Sequence, residues 1–356
     1  MTSQKKIDVA GLKIDAITKD ELLDQVADRI KRRQQTVVVT PYSEFLYASL
    51  RNPKVRGLLN GADFSIADGV GILWANLFMS VPLSAKSFLG KIFQAWWQMV
   101  WTGASIILRP SLLYKTIPEK IVGADLVWDL VQIAEQNNWR VFLLGSKGDV
   151  AMRAANKLQS RYSNLKIAGT SNKNPDDLSS IDDINTAKAD MLFVTYNGLV
   201  QEQWLMNNLA KTSASFGIAL GGTFDYLAGA KTPPPRLIRK VGLEWLYRLI
   251  TQPSRILRIY RATWGLIIAL IRVKVFATTP LRVTTTAVLV REDGKILIGR
   301  QSERVFKKFN PHSSGPATWQ FPQGGLNEGE EFIQGAQREL HEEMGVTSVE
   351  LIGVAE

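Results

Sequence analysis

Short runs of β-branched and apolar residues alternate with longer amphipathic stretches, and no other feature of the chain restricts its fold as tightly. The runs are TVVVT (Thr36 to Thr40), FSIA (Phe64 to Ala67), RVFLLG (Arg140 to Gly145), MLFVTY (Met191 to Tyr196) and FGIALGG (Phe216 to Gly222). Helical patterns such as GDVAMRAANKLQSRY lie between the later ones. That alternation argues βαβ units, and so an α/β chain with a doubly wound parallel sheet over roughly residues 5 to 230. In such sheets ligands bind outside the carboxyl ends of the strands. Chemistry is therefore sought at the run ends, which carry Thr40, Asp68, Gly145, Asn197, Gly221 and Gly222.

With 356 residues, 46% of them hydrophobic and 21% charged, the chain is a folded one of about two domains, and a disordered protein is excluded. The net charge of +10 favours anionic partners: nucleic acid, nucleotide phosphates or a lipid surface. Cysteine is absent, and the start MTSQKKIDVAGLKID has neither the apolar stretch nor the small-residue site of a signal peptide. The expectation is an intracellular, disulfide-free protein. Two histidines, His312 and His341, are too few for a His-based metal centre.

Two segments interrupt the α/β pattern. From Phe88 to Leu108, FLGKIFQAWWQMVWTGASIIL holds one charge, Lys91, and approaches the length that crosses a bilayer. Its three tryptophans, with Gln94 and Gln98, suit an interfacial or re-entrant hairpin or a buried helical insertion better than a span. From Lys231 to Lys274, ten Lys or Arg and a single acid, Glu244, are interleaved with Trp245, Tyr247, Tyr260, Trp264 and LIIALI. Basic residues beside aromatics suit an anionic membrane surface; a solvated basic face is the plainer alternative, and nucleic acid is the least favoured partner.

After FATTP the texture changes. RVTTTAVLVREDGKILIGRQ reads as a β-hairpin turning at Asp293-Gly294 and opening a new domain near Leu281. Farther on, Ile333, Ala336, Leu340 and Met344 recur at three- and four-residue steps, giving a helix from about Glu330 to Met344 with Gly345 as its C-terminal cap. Glu339, Glu342 and Glu343 fall at i, i+3 and i+4 of that helix, on one face. Three such carboxylates repel one another, and a hard divalent cation held by carboxylate oxygens relieves the repulsion. Arg338 stands ready to pair with an adjacent acid.

A Glu-rich helix alone is often just solvated. The full pattern is longer: Gly324, then Glu330, Arg338-Glu339-Leu340, Glu342-Glu343 and Gly345-Val346 at fixed spacing. It resembles the complete Nudix box. The resemblance implies that Glu339, Glu342 and Glu343 bind Mg2+ or Mn2+, that Glu343 is also catalytic, and that the Gly324 loop positions the helix. It also implies cleavage of a nucleoside diphosphate derivative, with the metal polarising a phosphoryl oxygen and activating water. WQFPQGG, Trp319 to Gly325, is further similar to members acting on dinucleoside polyphosphates or RNA 5' ends. A Nudix fold normally continues with more strands and a second helix, so the alternatives are a fragment, with only the N-terminal part of the domain present, or a degenerate copy whose box is a relic; the expectation is the fragment.

In the first domain, TPYSEF, ADGVG, VGADL, VFLLGSKGD, NGLVQEQW, GGTFDYLAG and GLEWLYRL occur in that order. Together they resemble the TagA/WecG/CpsF family of bacterial glycosyltransferases over residues 5 to 262. Family members transfer an N-acetylmannosamine-type sugar from a UDP donor to a polyprenyl-diphosphate-linked acceptor at the cytoplasmic membrane face. By that resemblance Asp68 is the base that deprotonates the acceptor hydroxyl, Thr40 an active-site threonine, and Gln201 and Glu202 hold donor or acceptor hydroxyls. Gly145, Gly221 and Gly222 would allow close approach to UDP, with Asp225 nearby. No cofactor is apparent for this domain. Tyr42 stands where the family has Asn, Leu199-Val200 replaces its Pro-Lys, and Pro233 replaces an Arg. The apolar stretch, with its flanks covering 86–116, looks like an insertion relative to the family.

The architecture expected is a doubly wound (Rossmann-like) sheet over 1–230, a basic membrane-associating appendage over 231–276, and an incomplete α+β Nudix domain over 281–356. The function expected is sugar transfer at the inner face of the cell membrane, fused to a Mg-dependent pyrophosphohydrolase. The alternative is a nucleotide or RNA 5'-end hydrolase whose transferase-like half is an inactive membrane tether.

Overall fold

The computed structural model describes residues 5–232, 256–277 and 331–350, together with 235, 247, 284–290, 293, 296–297, 299–300, 319–321 and 323–325. Tertiary contacts divide the chain into two units, Met1–Thr278 and Thr279–Glu356.

The first unit starts with a hairpin, β1 (Lys6–Val9) and β2 (Leu12–Asp15), and helix α1 (Lys19–Lys31). Thr18 and Glu21 form a capping box that fixes where α1 begins. The main sheet contains β3 (Thr36–Val39), β4 (Phe64–Ser65), β5 (Arg140–Gly145), β6 (Lys166–Ser171), β7 (Met191–Thr195) and β8 (Phe216–Ala219). It is six-stranded, in the order β4-β3-β8-β7-β5-β6, and every pairing is parallel. The five expected strands are all present. The sixth, β6, is half-exposed along most of its length because it lies at the edge, so it lacks the apolar run that marks the others.

Helices α2 (Ser43–Arg51), α3 (Pro53–Asn60), α4 (Val70–Ser80) and α5 (Phe88–Leu108) follow the first sheet strands, with α3 continuing from α2 after Asn52 and α5 following α4 after the loop 81–87. Then come α6 (Gly123–Gln136), α7 (Val150–Arg161), α8 (Ser179–Thr186), α9 (Val200–Asn208) and α10 (Thr223–Leu227). Alternate strand residues face opposite ways, so two cores form. Val37, Val39, Phe142, Leu144, Leu192 and Val194 meet α2, α4 and α9 on one face. Val38, Phe64, Leu143, Phe193, Phe216 and Ile218 meet α1, α6, α7 and α10 on the other.

The basic segment of the sequence ends in α11 (Ile256–Tyr260), a π-helical turn (Arg261–Gly265) and α12 (Leu266–Ala277). Leu266, Leu270, Ile271 and Val275 of α12 are buried in the first core. Most of 233–255, with Pro233 and Trp245, lies outside the described residues.

The apolar stretch is a single helix, α5, rather than a hairpin; neither Gly90 nor Gly103 interrupts it. No helix among the described residues is long and apolar enough to cross a membrane.

In the second unit, β9 (Thr284–Thr286) pairs antiparallel with β14 (Gln323–Gly325), and β10 (Leu289–Val290) with β11 (Ile296–Leu297) around the turn at Asp293. Strands β12 (Gly299–Arg300) and β13 (Trp319–Gln320) form a third antiparallel pair. Helix α13 (Phe332–Met344) packs on β9 and β14, and Gly345 ends it in the left-handed conformation at φ +68°.

Candidate active site

Strand ends bring several of the expected residues together. Thr40 follows β3 and is buried; its hydroxyl donates to the Ala219 carbonyl at the end of β8, 3.2 Å away. Asp68 follows β4, and its amide donates to the Pro41 carbonyl at 2.9 Å, so the β3 and β4 loops are joined. Gly71 sits in the first turn of α4 against α2, where an added Cβ would meet Ser43 Oγ at 2.0 Å. The second glycine of ADGVG is thereby explained by helix packing.

Gln201, in the first turn of α9, accepts a hydrogen bond from the Gly221 amide at 3.0 Å and donates to Glu202 Oε1 at 2.8 Å. Gln201 thus ties the β8 loop to α9. Glu202 lies beneath it with 0% exposure, and its Oε2 has no hydrogen-bond partner. Burial raises the Glu202 carboxyl to a pKa of about 7, while the Gln201 hydrogen bond works in the opposite sense. A group so enclosed supports Gln201 and does not reach a ligand at the surface. Asp225 is three residues beyond Gly222, at the start of α10, and is ion-paired with Lys231.

Gly145 is separate from this group. It ends β5 at φ +102°, with an added Cβ falling 2.6 Å from the Thr195 carbonyl oxygen of β7. There the Ser146 and Thr195 hydroxyls are 2.8 Å apart, and the Tyr196 hydroxyl donates to the Lys173 carbonyl at 3.0 Å. Burial pushes the Tyr196 phenol up. Chain connections leave β5 and β7 in opposite directions across the sheet, which makes this a crevice of the kind that binds ligands.

Sequence reasoning missed Thr195, because it looked two residues past the end of β7 to Asn197. It also passed over Gly123 as a site residue; this residue begins α6 with its Cβ direction 3.5 Å from the Thr40 methyl group. The helices that follow the sheet strands directly share a further trait. α2, α4, α7, α9 and α10 begin with no side-chain cap, and so does α6, whereas at the start of α8 the Ser179 amide donates to Asp177 Oδ1 at 3.1 Å. Three other helices, α1, α3 and α5, are capped by Thr18, Asn52 and Ser87. Uncapped first-turn N–H groups at the carboxyl ends of the strands favour an anion.

In the second unit, Glu339, Glu342 and Glu343 lie on α13 as expected, but Arg338 engages two of them. Its Nη1 is 2.7 Å from Glu339 Oε1 and 3.5 Å from Glu342 Oε2. Glu339 is nearly buried, whereas Glu342 and Glu343 are exposed. Glu330 lies outside the described residues.

The model of the glycosyl transferase WecG/TagA/CpsF family matches residues 7–98 and 76–279, more than half of the chain. The chain belongs to the WecG/TagA/CpsF glycosyltransferase family. The NUDIX domain model matches residues 280–356. Relatives from Staphylococcus aureus strains NCTC 8325, COL and N315 are each 24% identical over 257 residues, covering 71% of this chain and 88% of the relative. Each of those relatives is named an N-acetylglucosaminyldiphosphoundecaprenol N-acetyl-beta-D-mannosaminyltransferase. This family member is thus a glycosyltransferase carrying a Nudix hydrolase domain.

A NUDIX domain implies use of a divalent metal. The carboxylate oxygens of α13 have the right donor chemistry, yet they do not converge. Among the described residues no group of three or more His, Asp or Glu could hold a metal ion. Arg338 meanwhile pairs with two of the three carboxylates, Glu339 and Glu342.

Proposed function

We propose that the first unit transfers an N-acetylmannosamine-type sugar from a UDP donor to a polyprenyl-diphosphate-linked acceptor, working peripherally at the inner face of the cell membrane. The observation that carries this reading is the junction of the β3, β4 and β8 loops. There Thr40, Asp68 and the Gln201-anchored Gly221 occupy neighbouring strand ends. The activity named for the Staphylococcus aureus relatives supports the acceptor and sugar classes.

In this mechanism the acceptor hydroxyl oxygen forms a bond to the anomeric carbon of the donor. The bond from that carbon to the UDP oxygen breaks, and its electron pair leaves with UDP. Asp68 takes the hydroxyl proton as general base. The departing diphosphate is stabilised by backbone N–H groups of the Gly221-Gly222 loop and of the uncapped helix starts. Gln201 keeps the Gly221 loop in place, and Glu202 keeps Gln201 in place. Gly145 permits close approach on the β5 side, and Asp225 orders the start of α10 through Lys231.

The Nudix domain is proposed to hydrolyse a nucleoside diphosphate derivative. A divalent metal at Glu339, Glu342 and Glu343 would require Arg338 to release the first two, and would supply a polarised phosphoryl oxygen and an activated water.

The test is transfer of radiolabel from a panel of UDP-sugars to membranes containing undecaprenyl-diphosphate-GlcNAc. Wild type moves label into lipid, and Asp68→Asn lowers the rate by roughly 10²–10⁴, the usual contribution of a general base. No transfer from any donor by folded, membrane-bound protein would refute the reading.

A further inference from the structure

Helix α5 is inverted relative to an ordinary surface helix. Its buried stripe is Lys91, Ala95, Gln98, Thr102 and Ser105, which is mostly polar. Those groups have partners inside: Gln98 Nε2 donates to the Pro82 carbonyl at 2.8 Å, and Thr102 Oγ1 accepts from Trp74 Nε1 at 3.1 Å. The opposite stripe carries Leu89, Phe93, Trp97, Ile107 and Leu108, between 63% and 77% exposed. On the neighbouring helices Leu257, Trp264 and Phe276 are also more than half exposed. The Phe88 and Phe276 rings, 5.9 Å apart, join the two sides over an apolar cleft of about 220 Å³ between α5 and α12.

A water-facing surface would have the reverse pattern, and a contiguous exposed apolar patch marks an interaction site. Charge selects the occupant. No acidic residue occurs between Asp68 and Glu119, or between Glu244 and Glu292, so neither of the two segments that build the patch carries a negative side chain. Exposed Lys86, Arg109, Lys115, Arg261 and Arg272 accompany it. Tryptophan among aliphatics with cations at the margin suits the headgroup zone of an anionic bilayer.

We propose that the outer face of α5, with the exposed residues of α11 and α12, embeds in one leaflet of an anionic membrane. The helix lies in the plane of the interface and does not cross it. This deepens the transferase reading by naming the surface that brings the enzyme to its lipid-linked acceptor, but it is testable without any sugar chemistry.

The experiment is flotation of the full chain with vesicles of phosphatidylglycerol and phosphatidylcholine, and with phosphatidylcholine alone. Wild type is expected to float with the anionic vesicles and much less with the neutral ones. Phe93→Ser/Trp97→Ser should weaken partitioning at least about tenfold, because two inserted aromatics are lost. Its melting temperature should be unchanged, since both side chains are already exposed. Lys86→Glu/Arg109→Glu should lose the preference for anionic vesicles. Wild-type flotation by Phe93→Ser/Trp97→Ser would overturn the proposal. So would a wild-type dimer in light scattering that this variant converts to monomer without any vesicle binding by wild type. Transfer to a soluble short-prenyl acceptor should survive in Phe93→Ser/Trp97→Ser, so its loss in wild type as well would count against the transferase reading instead.

Discussion

Replacing Glu202 with Gln removes a charge from the most enclosed ionisable site of the candidate active centre while keeping the shape of the side chain. The ordinary carboxyl value is 4.5, and burial raises it in the folded protein to about 7. A raised carboxyl value means that the folded state holds its proton more tightly than the unfolded one. Below pH 4.5 both states are protonated and the contribution to stability is complete. As pH rises toward 7, the unfolded chain releases the proton and the folded chain does not, so stability falls. The whole difference amounts to roughly 3 kcal/mol, at about 1.4 kcal/mol per pH unit.

Glu202→Gln lacks this slope. The stability of the variant relative to wild type, from urea unfolding at a series of pH values, should therefore increase by roughly 3 kcal/mol between pH 4.5 and pH 8. The new amide nitrogen occupies the place of Oε2, which has no hydrogen-bond partner, and this adds a cost of about 1–3 kcal/mol. That cost is the same at every pH, so the slope is the quantity to read. Gln at 202 can still accept from Gln201 Nε2, and sugar transfer at pH 7 should change little. Glu202→Leu cannot, and transfer should drop as the Gly221 loop loses its anchor. A stability difference that does not vary with pH would refute the burial argument.

Gly145→Ala should destabilise the first unit by about 1–3 kcal/mol, read as a lower melting temperature, because a Cβ at φ +102° would strike the Thr195 carbonyl. Gly148→Ala, at φ +60° with no atom within 4 Å of its Cβ position, should cost less. Glu343→Gln should lower Mg2+-dependent hydrolysis of nucleoside diphosphate derivatives by at least about 100-fold, measured by chromatography of the nucleotide product, and leave sugar transfer intact. Chelation with EDTA should abolish the hydrolysis and spare the transfer; equal loss of both would contradict a metal-free first unit.

The sequence by itself determined the elements that are locally consistent. Buried strands such as RVFLLG are continuous apolar runs because both faces of a parallel sheet are covered, and β5 occupies those six residues, Arg140 to Gly145. Helix α13 was legible from its apolar period and from Gly345, which alone among neighbouring residues takes the left-handed cap without strain. The seven motifs of the first domain pointed to Thr40 and Asp68, each just beyond a strand end, and to Gln201, which lies in the first turn of α9.

Tertiary structure decided the rest. Strand order placed β8 between β3 and β7, and so joined Thr40 to Ala219 across 179 positions of sequence. Glu202 and Gln201 are adjacent in sequence, yet one is enclosed support and the other reaches the Gly221 loop. Which face of α5 turns inward was also beyond the periodicity, since an amphipathic pattern gives two faces and not their sense. The polar face is inside because Pro82 and Trp74 offer it hydrogen-bond partners there, and a buried polar group with a partner costs little.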